Sequence, residues 1–73
     1  MTDESQIRQT IGRRLRAARR CRGLRLIDVA EKCGVRMQQV AKYETGANTI
    51  TVPRLLMLSK ALGVQASEIV GGL

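Results

Sequence analysis

Polar side chains that hydrogen-bond well to nucleic-acid bases are concentrated near the middle of the chain. Gln38 and Gln39 each carry an amide that could pair with two atoms of adenine, and Lys42 lies one helical turn farther on. Lysine reaches guanine or a backbone phosphate, and Arg36 at the start of the stretch could do either. Each of these side chains could belong to a merely solvated face, but the short turn before them and their basic surroundings favour contact with DNA bases.

The elements that would position these side chains are two short helices joined at Gly34. The apolar residues of the earlier helix are Val29, Ala30 and Cys33, and those of the later helix are Met37, Val40, Ala41 and Tyr43. Their spacing predicts helices over about 26–33 and 36–44, since apolar positions three and four residues apart share one helix face. Residues 28–44 therefore indicate a helix-turn-helix, with the rest of the chain as its support.

Three further helices are predicted around this unit. The first extends from about Ser5 to Cys21 or Arg22, and the fourth begins after the cap residue Thr51. Gly12 lies inside the first helix, where it indicates a close backbone contact. Gly63 ends the fourth helix, and a short fifth helix covers 66–70. The residues predicted to face the core from these three helices are Ile7, Ile11, Leu15, Ala18, Val52, Leu55, Leu58, Ser59, Leu62 and Ile69.

The composition limits the fold to one small helical domain. A chain of 73 residues has apolar side chains for one core only. It is 44% hydrophobic with a single aromatic residue, Tyr43, so the core has to be aliphatic, which is typical of small packed helices. We therefore expect an all-α single domain over 1–73, with residues 1–6 frayed and residues 71–73 loose.

The net charge of +7 favours a polyanionic partner, either nucleic acid or an acidic membrane surface. The basic first helix lacks the Trp and Phe that are common on membrane-binding faces, so no membrane partner is expected. The polar start is unlike a signal peptide, and no stretch approaches the roughly 20 apolar residues that span a bilayer. These features predict a cytoplasmic protein.

Residues that would support catalysis or metal binding are scarce. There is no histidine, and the only cysteines are Cys21 and Cys33, so neither a Cys/His zinc site nor a disulfide framework is expected. The chain also lacks a glycine-rich phosphate loop and carboxylates paired at a useful spacing. We expect two reduced thiols, no metal, no cofactor and no enzymatic activity.

Contacts to DNA phosphates would fix the register of such a protein and supply most of its affinity. Backbone N–H groups are suitable donors at the starts of the second and fourth helices and in the turn after the third helix. Arginine side chains are weaker candidates, because spacing alone does not show which of them face the groove. The residues proposed from these arguments are Arg13, Arg16, Gly46, Asn48, Thr49 and Arg54.

From Ile11 to Ile69 the sequence resembles the lambda-repressor-like, Cro/C1-type (XRE) helix-turn-helix family. The matching residues are Ile11-Gly12, Leu15-Arg16-Ala17-Ala18-Arg19, Gly23-Leu24, Val29-Ala30-Glu31-Lys32, Gly34-Val35, Val40, Tyr43-Glu44-Thr45-Gly46 and Lys60-Ala61-Leu62-Gly63-Val64. The resemblance implies five helices, with the third as the recognition helix. It also implies a homodimeric transcriptional regulator bound to an operator, and an ion pair between Arg19 and Glu44.

The sequence departs from the family pattern at the starts of the second and third helices. Family members often have Ser or Thr followed by Gln where this chain has Arg25-Leu26, so a phosphate contact from that glutamine is absent. Arg25 could replace it with a charge. Arg36 stands where Ser or Thr commonly caps the third helix, and Met37 stands at a position that often contacts DNA, where it could touch a thymine methyl group.

Two functions remain open on the sequence. The leading hypothesis is a dimeric, sequence-specific repressor of prokaryotic or phage type, associated with the nucleoid and bound to an inverted repeat. Leu56 and Met57 lie off the apolar stripe of the fourth helix and could form the dimer contact. The alternative is a protein-interaction adaptor or antitoxin-type module on the same scaffold, binding its partner through Leu26, these two residues and the C-terminal end.

Overall fold

The computed structural model describes residues 3–73, and these form five α-helices without a strand. The helices are α1 (Glu4–Cys21), α2 (Leu26–Cys33), α3 (Met37–Thr45), α4 (Val52–Leu62) and α5 (Ala66–Val70). The predicted all-α, five-helix architecture is confirmed. None of these helices is both long enough and apolar enough to cross a bilayer.

The beginning of α1 is more ordered than the sequence suggested. The Oδ1 atom of Asp3 accepts from the backbone N–H of Gln6 at 2.8 Å, and the Gln6 side chain accepts from the N–H of Asp3 at 3.2 Å. This reciprocal cap satisfies two backbone donors that a helix start leaves free. The prediction that 1–6 is frayed is therefore wrong for residues 3–6, while Met1 and Thr2 lie outside the described residues.

Residues 71–73, predicted to be loose, are exposed, and Gly71 is tied to α1. Arg14 donates from Nη1 to the carbonyl oxygens of Ile69, at 3.0 Å, and Gly71, at 2.7 Å. The guanidinium thus holds the end of α5 against the first helix, because it links residues 55 and 57 positions apart along the chain.

The core is aliphatic around one aromatic ring, as the composition requires. Tyr43 is 6% exposed, and Ser59 is the one buried polar residue of the described chain. The Ser59 hydroxyl donates to the carbonyl of Leu55 at 2.8 Å, so its burial leaves no unsatisfied donor. The other core members are Leu15, Val29, Ala30, Cys33, Val40, Leu55, Leu58, Leu62 and Ile69.

One predicted core residue of α4 is on the surface. Val52 is 68% exposed, whereas Leu55, Leu58, Ser59 and Leu62 are buried. Val52 is the first residue of α4 and lies at the edge of the stripe that these four residues form. Spacing alone assigned it to the core, and its terminal position leaves it outside.

The crossing of α1 over α3 depends on Gly12. A Cβ atom at this position would lie 2.6 Å from the carbonyl oxygen of Tyr43 and would also collide with that of Glu44. Gly12 is buried there, and the predicted close backbone contact is confirmed. The missing side chain lets α1 lie directly on the end of α3 and fixes the position of the later helix.

Candidate nucleic-acid interface

The corner between α2 and α3 has the geometry that the sequence predicted. Gly34 has a φ of +67°, a left-handed conformation that residues with a side chain rarely adopt. The N–H of Val35 then returns to the carbonyl of Ala30 at 3.0 Å and closes the end of α2. Arg36 is extended and precedes α3 without a side-chain capping bond, so α3 begins one residue later than predicted.

The exposed face of α3 gathers most of the proposed base-contacting side chains. Val40 and Tyr43 are buried against the core, which directs the opposite face outward. Arg36, Gln38, Gln39, Lys42 and Asn48 line one shallow depression on that side. Four of the five predicted base-contacting residues are thus brought together, beside a residue predicted to contact phosphate. Met37 does not line the depression, although it is 41% exposed at the start of the helix.

Two further residues of this face were not predicted to contact DNA, since Ala41 was grouped with the apolar residues of the helix and Thr45 was not proposed as a contact. Ala41 and Thr45 lie three and seven positions after Gln38, on the same side of the helix. They border a second depression together with Arg16 and Leu26, where α1, α2 and α3 meet. The helical repeat places both residues on this side, but Ala41 has no hydrogen-bonding group and the Thr45 hydroxyl already donates to the carbonyl of Lys42 at 3.1 Å.

The two glutamines of α3 have different surroundings. Gln38 is exposed and makes no hydrogen bond with the described residues, whereas Gln39 is half-buried. The Nε2 atom of Gln39 donates to the Tyr43 hydroxyl at 2.7 Å. Arg54 at the start of α4 approaches the same hydroxyl, with Nη1 at 3.5 Å. Gln39 therefore belongs to an intramolecular network that Gln38 does not share.

The ion pair that the resemblance implies is present and locks α3 to α1. Arg19 donates from Nε and Nη2 to the two carboxylate oxygens of Glu44, at 2.6 Å and 3.0 Å, and from Nη1 to the carbonyl of Leu24 at 2.9 Å. Only 12% and 8% of the two side chains are exposed. The hydrogen bonds to Glu44 raise the pKa of the Arg19 guanidinium.

At the start of α2, Arg25 forms hydrogen bonds and an ion pair with Asp28. Asp28 accepts from the backbone N–H of Arg25 at 2.7 Å and from its guanidinium at 2.9 Å. The hydrogen bonds from this arginine lower the pKa of the Asp28 carboxyl. Because a guanidinium cannot accept a hydrogen bond, this is only half of a capping box. The charge of Arg25 is exposed but partly neutralised.

Some of the proposed phosphate-contacting residues are exposed, whereas one already uses its N–H group within the fold. Arg13 and Arg16 are exposed on α1, and Thr49 is exposed after α3. Gly46 differs: it is buried, and its N–H donates to the carbonyl of Tyr43 at 3.2 Å. The prediction that Gly46 offers a free N–H is therefore corrected, because that donor closes the end of α3.

The start of α4 also offers fewer free donors than expected. Pro53 has no N–H, and the N–H of Arg54 donates to the Thr51 hydroxyl at 3.3 Å. Thr51 is the predicted cap. The guanidinium of Arg54 has no carboxylate within 4.0 Å among residues 3–73, so its charge is available to an outside anion.

The apolar residues singled out on α4 are exposed, at 54% for Leu56 and 45% for Met57. Both cysteines are free thiols, Cys21 exposed and Cys33 buried. Burial raises the pKa of Cys33, and the positive charge of Arg54 partly opposes that effect. Cys33 is a core residue and lies away from the exposed face of α3.

Known proteins resemble the chain in sequence. A family model described as helix-turn-helix matches residues 15–69. An uncharacterised HTH-type transcriptional regulator of Sinorhizobium fredii is 42% identical over 57 residues, which are 78% of this chain and 40% of the relative. An uncharacterised transcriptional regulator in the ATPase CF(0) region of Rhodospirillum rubrum is 41% identical over 54 residues, 74% of this chain and 50% of the relative. The chain thus spans half or less of the length of these curated relatives.

Two solved structures match the fold over most of its length. The DNA-binding domain of BldD has a TM-score of 0.81 and 36% identity, covering 96% of this chain and 99% of that chain. The restriction-modification controller protein C.AhdI of Aeromonas hydrophila has a TM-score of 0.81 and 28% identity, covering 84% and 92%. The sequence match, the five helices and the glycine corner together show that the chain belongs to the Cro/C1-type (XRE) helix-turn-helix family of DNA-binding regulators.

Proposed function

We propose that this chain binds double-stranded DNA sequence-specifically through α3 and acts as a transcriptional regulator, with repression as its mode. The observation that carries the proposal is the exposed face of α3, where hydrogen-bonding side chains surround one depression on a domain of net charge +7. A helix with its side chains is about 10–12 Å wide and fits the major groove, which is about 12 Å wide. We assign α3 to this groove.

Base contacts are assigned to the outward residues of α3. Gln38 is free to pair with adenine, and Lys42 lies one turn away on the same side, within reach of guanine. Arg36 has an exposed side chain at the helix start, where either a base or a phosphate can be contacted. Met37 supplies an apolar surface for a thymine methyl group. Gln39 borders the depression, but its bond to Tyr43 limits what it offers to a base.

Phosphate contacts surround this face and provide affinity that does not depend on sequence. Guanidinium groups and polar groups of the turn after α3 are the donors, and each neutralised phosphate releases condensed counterions. Gly46 is left out of this set because its N–H is already bonded. The proposed residues are Arg13, Arg16, Arg25, Asn48, Thr49 and Arg54.

A homodimer accounts for the exposed apolar residues of α4. Leu56 follows the exposed Val52 by four positions, so the two form one small apolar surface, with Met57 about 100° farther around the helix. In the proposed dimer the two-fold contact buries Leu56 and Met57, and the two copies of α3 enter successive major grooves. The operator is then an inverted repeat with half-site centres roughly 34 Å apart. The proposed setting is the bacterial cytoplasm and nucleoid.

Selection of bound sequences from a random DNA pool tests this function. The expected result is an enriched inverted repeat, and Gln38→Ala should then lose preference at one or two base pairs of each half-site. Loss of one side chain that makes two hydrogen bonds to a base costs about 1–3 kcal/mol, which is roughly 5- to 150-fold in affinity.

Gln65→Ala is the matched control, since Gln65 is an exposed glutamine outside the α2–α3 unit. It should leave both the affinity and the selected sequence unchanged. Binding of equal strength to all sequences, or no binding at moderate salt, would overturn the proposed function. Recovery of a single half-site without a repeat would overturn the dimer alone.

A further inference from the structure

Gln39 and Gln38 are neighbours of the same residue type, but the structure gives them opposite settings. Gln38 is exposed, and its fourth neighbour along the helix is the exposed Lys42. Gln39 is half-buried, and its fourth neighbour is Tyr43, which is 6% exposed. Side chains four residues apart lie over one another on a helix. Gln38 and Lys42 therefore form an outward row of α3, and Gln39 lies with Tyr43 at the inward edge.

The Tyr43 hydroxyl connects that inward edge to the start of α4. It accepts from Nε2 of Gln39 at 2.7 Å, and Nη1 of Arg54 lies 3.5 Å away. A phenolic oxygen has two acceptor sites and one proton to donate. The N–H of Gln39 that donates to the hydroxyl is not available to a base, so the amide has fewer free hydrogen-bonding groups than that of Gln38.

Arg54 is the charged end of this network. It is half-buried, yet no carboxylate among residues 3–73 lies within 4.0 Å of its guanidinium. The buried ion pair of Arg19 shows the alternative, in which a partly buried guanidinium has a carboxylate partner within the fold. A half-buried cation without an internal anion is suited to an external one, and a DNA phosphate supplies it.

We propose that Gln39 is a positioning residue: it holds the Tyr43 hydroxyl, which in turn orients the Arg54 guanidinium toward a DNA phosphate. The proposal rests on the proposed DNA binding and assigns a role different from base contact to one of the predicted base-contacting residues. It predicts that the sequence preference comes from the outward row of α3. The Gln39–Tyr43–Arg54 network contributes affinity that is equal for all sequences and sensitive to salt.

The test measures affinity on the selected operator, on a panel in which each base pair is replaced in turn, and at several salt concentrations. Gln39→Ala and Tyr43→Phe should weaken binding by the same factor on every site and leave the ranking of sites unchanged. Loss of one phosphate contact reduces the slope of log affinity against log salt by about 0.9, which corresponds to about eightfold at 0.1 M salt relative to 1 M. The proposed dimer loses one contact in each subunit, so the expected weakening is up to about 60-fold, with a slope smaller by up to about 1.8.

Comparison variants separate this role from the others. Gln38→Ala should change the ranking of sites with little change in slope. In Arg54→Ala the further change Tyr43→Phe should have no additional effect, because the hydroxyl then has no guanidinium to orient. Tyr43→Phe keeps the buried ring, and a thermal melt within a few degrees of the wild type would show that folding is preserved.

A change of base preference in Gln39→Ala would overturn the positioning role while leaving the proposed function intact. Unchanged affinity and slope in Tyr43→Phe would also overturn it, as would fully additive effects of Tyr43→Phe and Arg54→Ala. A wild-type chain that binds no DNA would overturn both proposals together.

Discussion

Removal of Arg19 should destabilise the domain far more than removal of its exposed neighbour Arg20. Arg19→Ala leaves the Glu44 carboxylate, of which 8% is exposed, without either of its guanidinium hydrogen bonds. It also leaves the carbonyl of Leu24 without the N–H that now lies 2.9 Å away. Breaking one side of a buried, hydrogen-bonded ion pair costs about 3–5 kcal/mol, because the remaining charge stays uncompensated.

That loss is large for a domain of this size. A chain of 73 residues has a total stability of roughly 4–11 kcal/mol and an unfolding entropy of roughly 150 cal/mol/K at its midpoint. A loss of 3–5 kcal/mol therefore lowers Tm by about 20–30 °C. Arg20→Ala removes an exposed side chain without a hydrogen bond to the described residues, and a change within about 0.5 kcal/mol is expected.

Thermal and urea unfolding followed by circular dichroism measures both variants against the wild type. If Arg19→Ala is mostly unfolded, Arg19→Lys keeps a charge near Glu44 and should give an intermediate Tm. The double variant Arg19→Met with Glu44→Leu removes both charges and should be more stable than Arg19→Ala alone. Equal melting temperatures for Arg19→Ala and Arg20→Ala would refute the reasoning, as would a double variant that loses the sum of both single losses.

Three further predictions follow from particular contacts. Helix propensity alone favours Gly12→Ala by about 1 kcal/mol. The new methyl group would collide with the backbone of α3, so urea unfolding should show a loss of about 1–3 kcal/mol. A stabilised variant would contradict that contact. Because folding lowers the pKa of Asp28, Asp28→Asn should be less stable than the wild type at pH 7, and this gap should close as the pH falls below the ordinary carboxyl pKa of about 3.9. Glu31→Gln on the same helix is the control, and a gap that does not narrow as the pH falls below about 3.9 would contradict the charge argument. Leu56→Asp should convert the dimer to a monomer in sedimentation, because it places a charge in the proposed contact. The variant monomer should remain folded, and an unchanged dimer would show that the contact lies elsewhere.

The helices could be predicted from the sequence because their signals are local. Apolar residues at helical spacing located all five helices to within one residue. Gly34 located the α2–α3 corner, where the structure gives it a left-handed conformation. The beginning of the chain was assigned wrongly, because a polar segment gives no apolar signal and the reciprocal bonds of Asp3 and Gln6 are visible only as geometry. Val52 was misplaced for the related reason that spacing does not show where a helix end lies relative to the core.

The candidate interface was predicted in its residue types and only partly in its arrangement. Gln38 and Lys42 were identified because they are polar residues between apolar ones, and the structure places both beside the same depression. Ala41 was placed with the apolar residues of the helix, and Thr45 was not proposed as a contact because a hydroxyl is common on any helix surface. Gly46 was included as a free donor, although tertiary packing buries it and the end of α3 takes its N–H.

The sequence by itself determined that the chain is one basic helical domain with a glycine corner ahead of a polar helix face. These properties depend on composition and on residues a few positions apart, so they are set before any long-range contact forms. Only the tertiary structure decided that Gln39 shares a partner with Arg54, since it brings Arg54 near the hydroxyl that Gln39 holds. Three-dimensional packing assigns those partners, because a side chain's environment depends on elements that meet it from elsewhere in the chain.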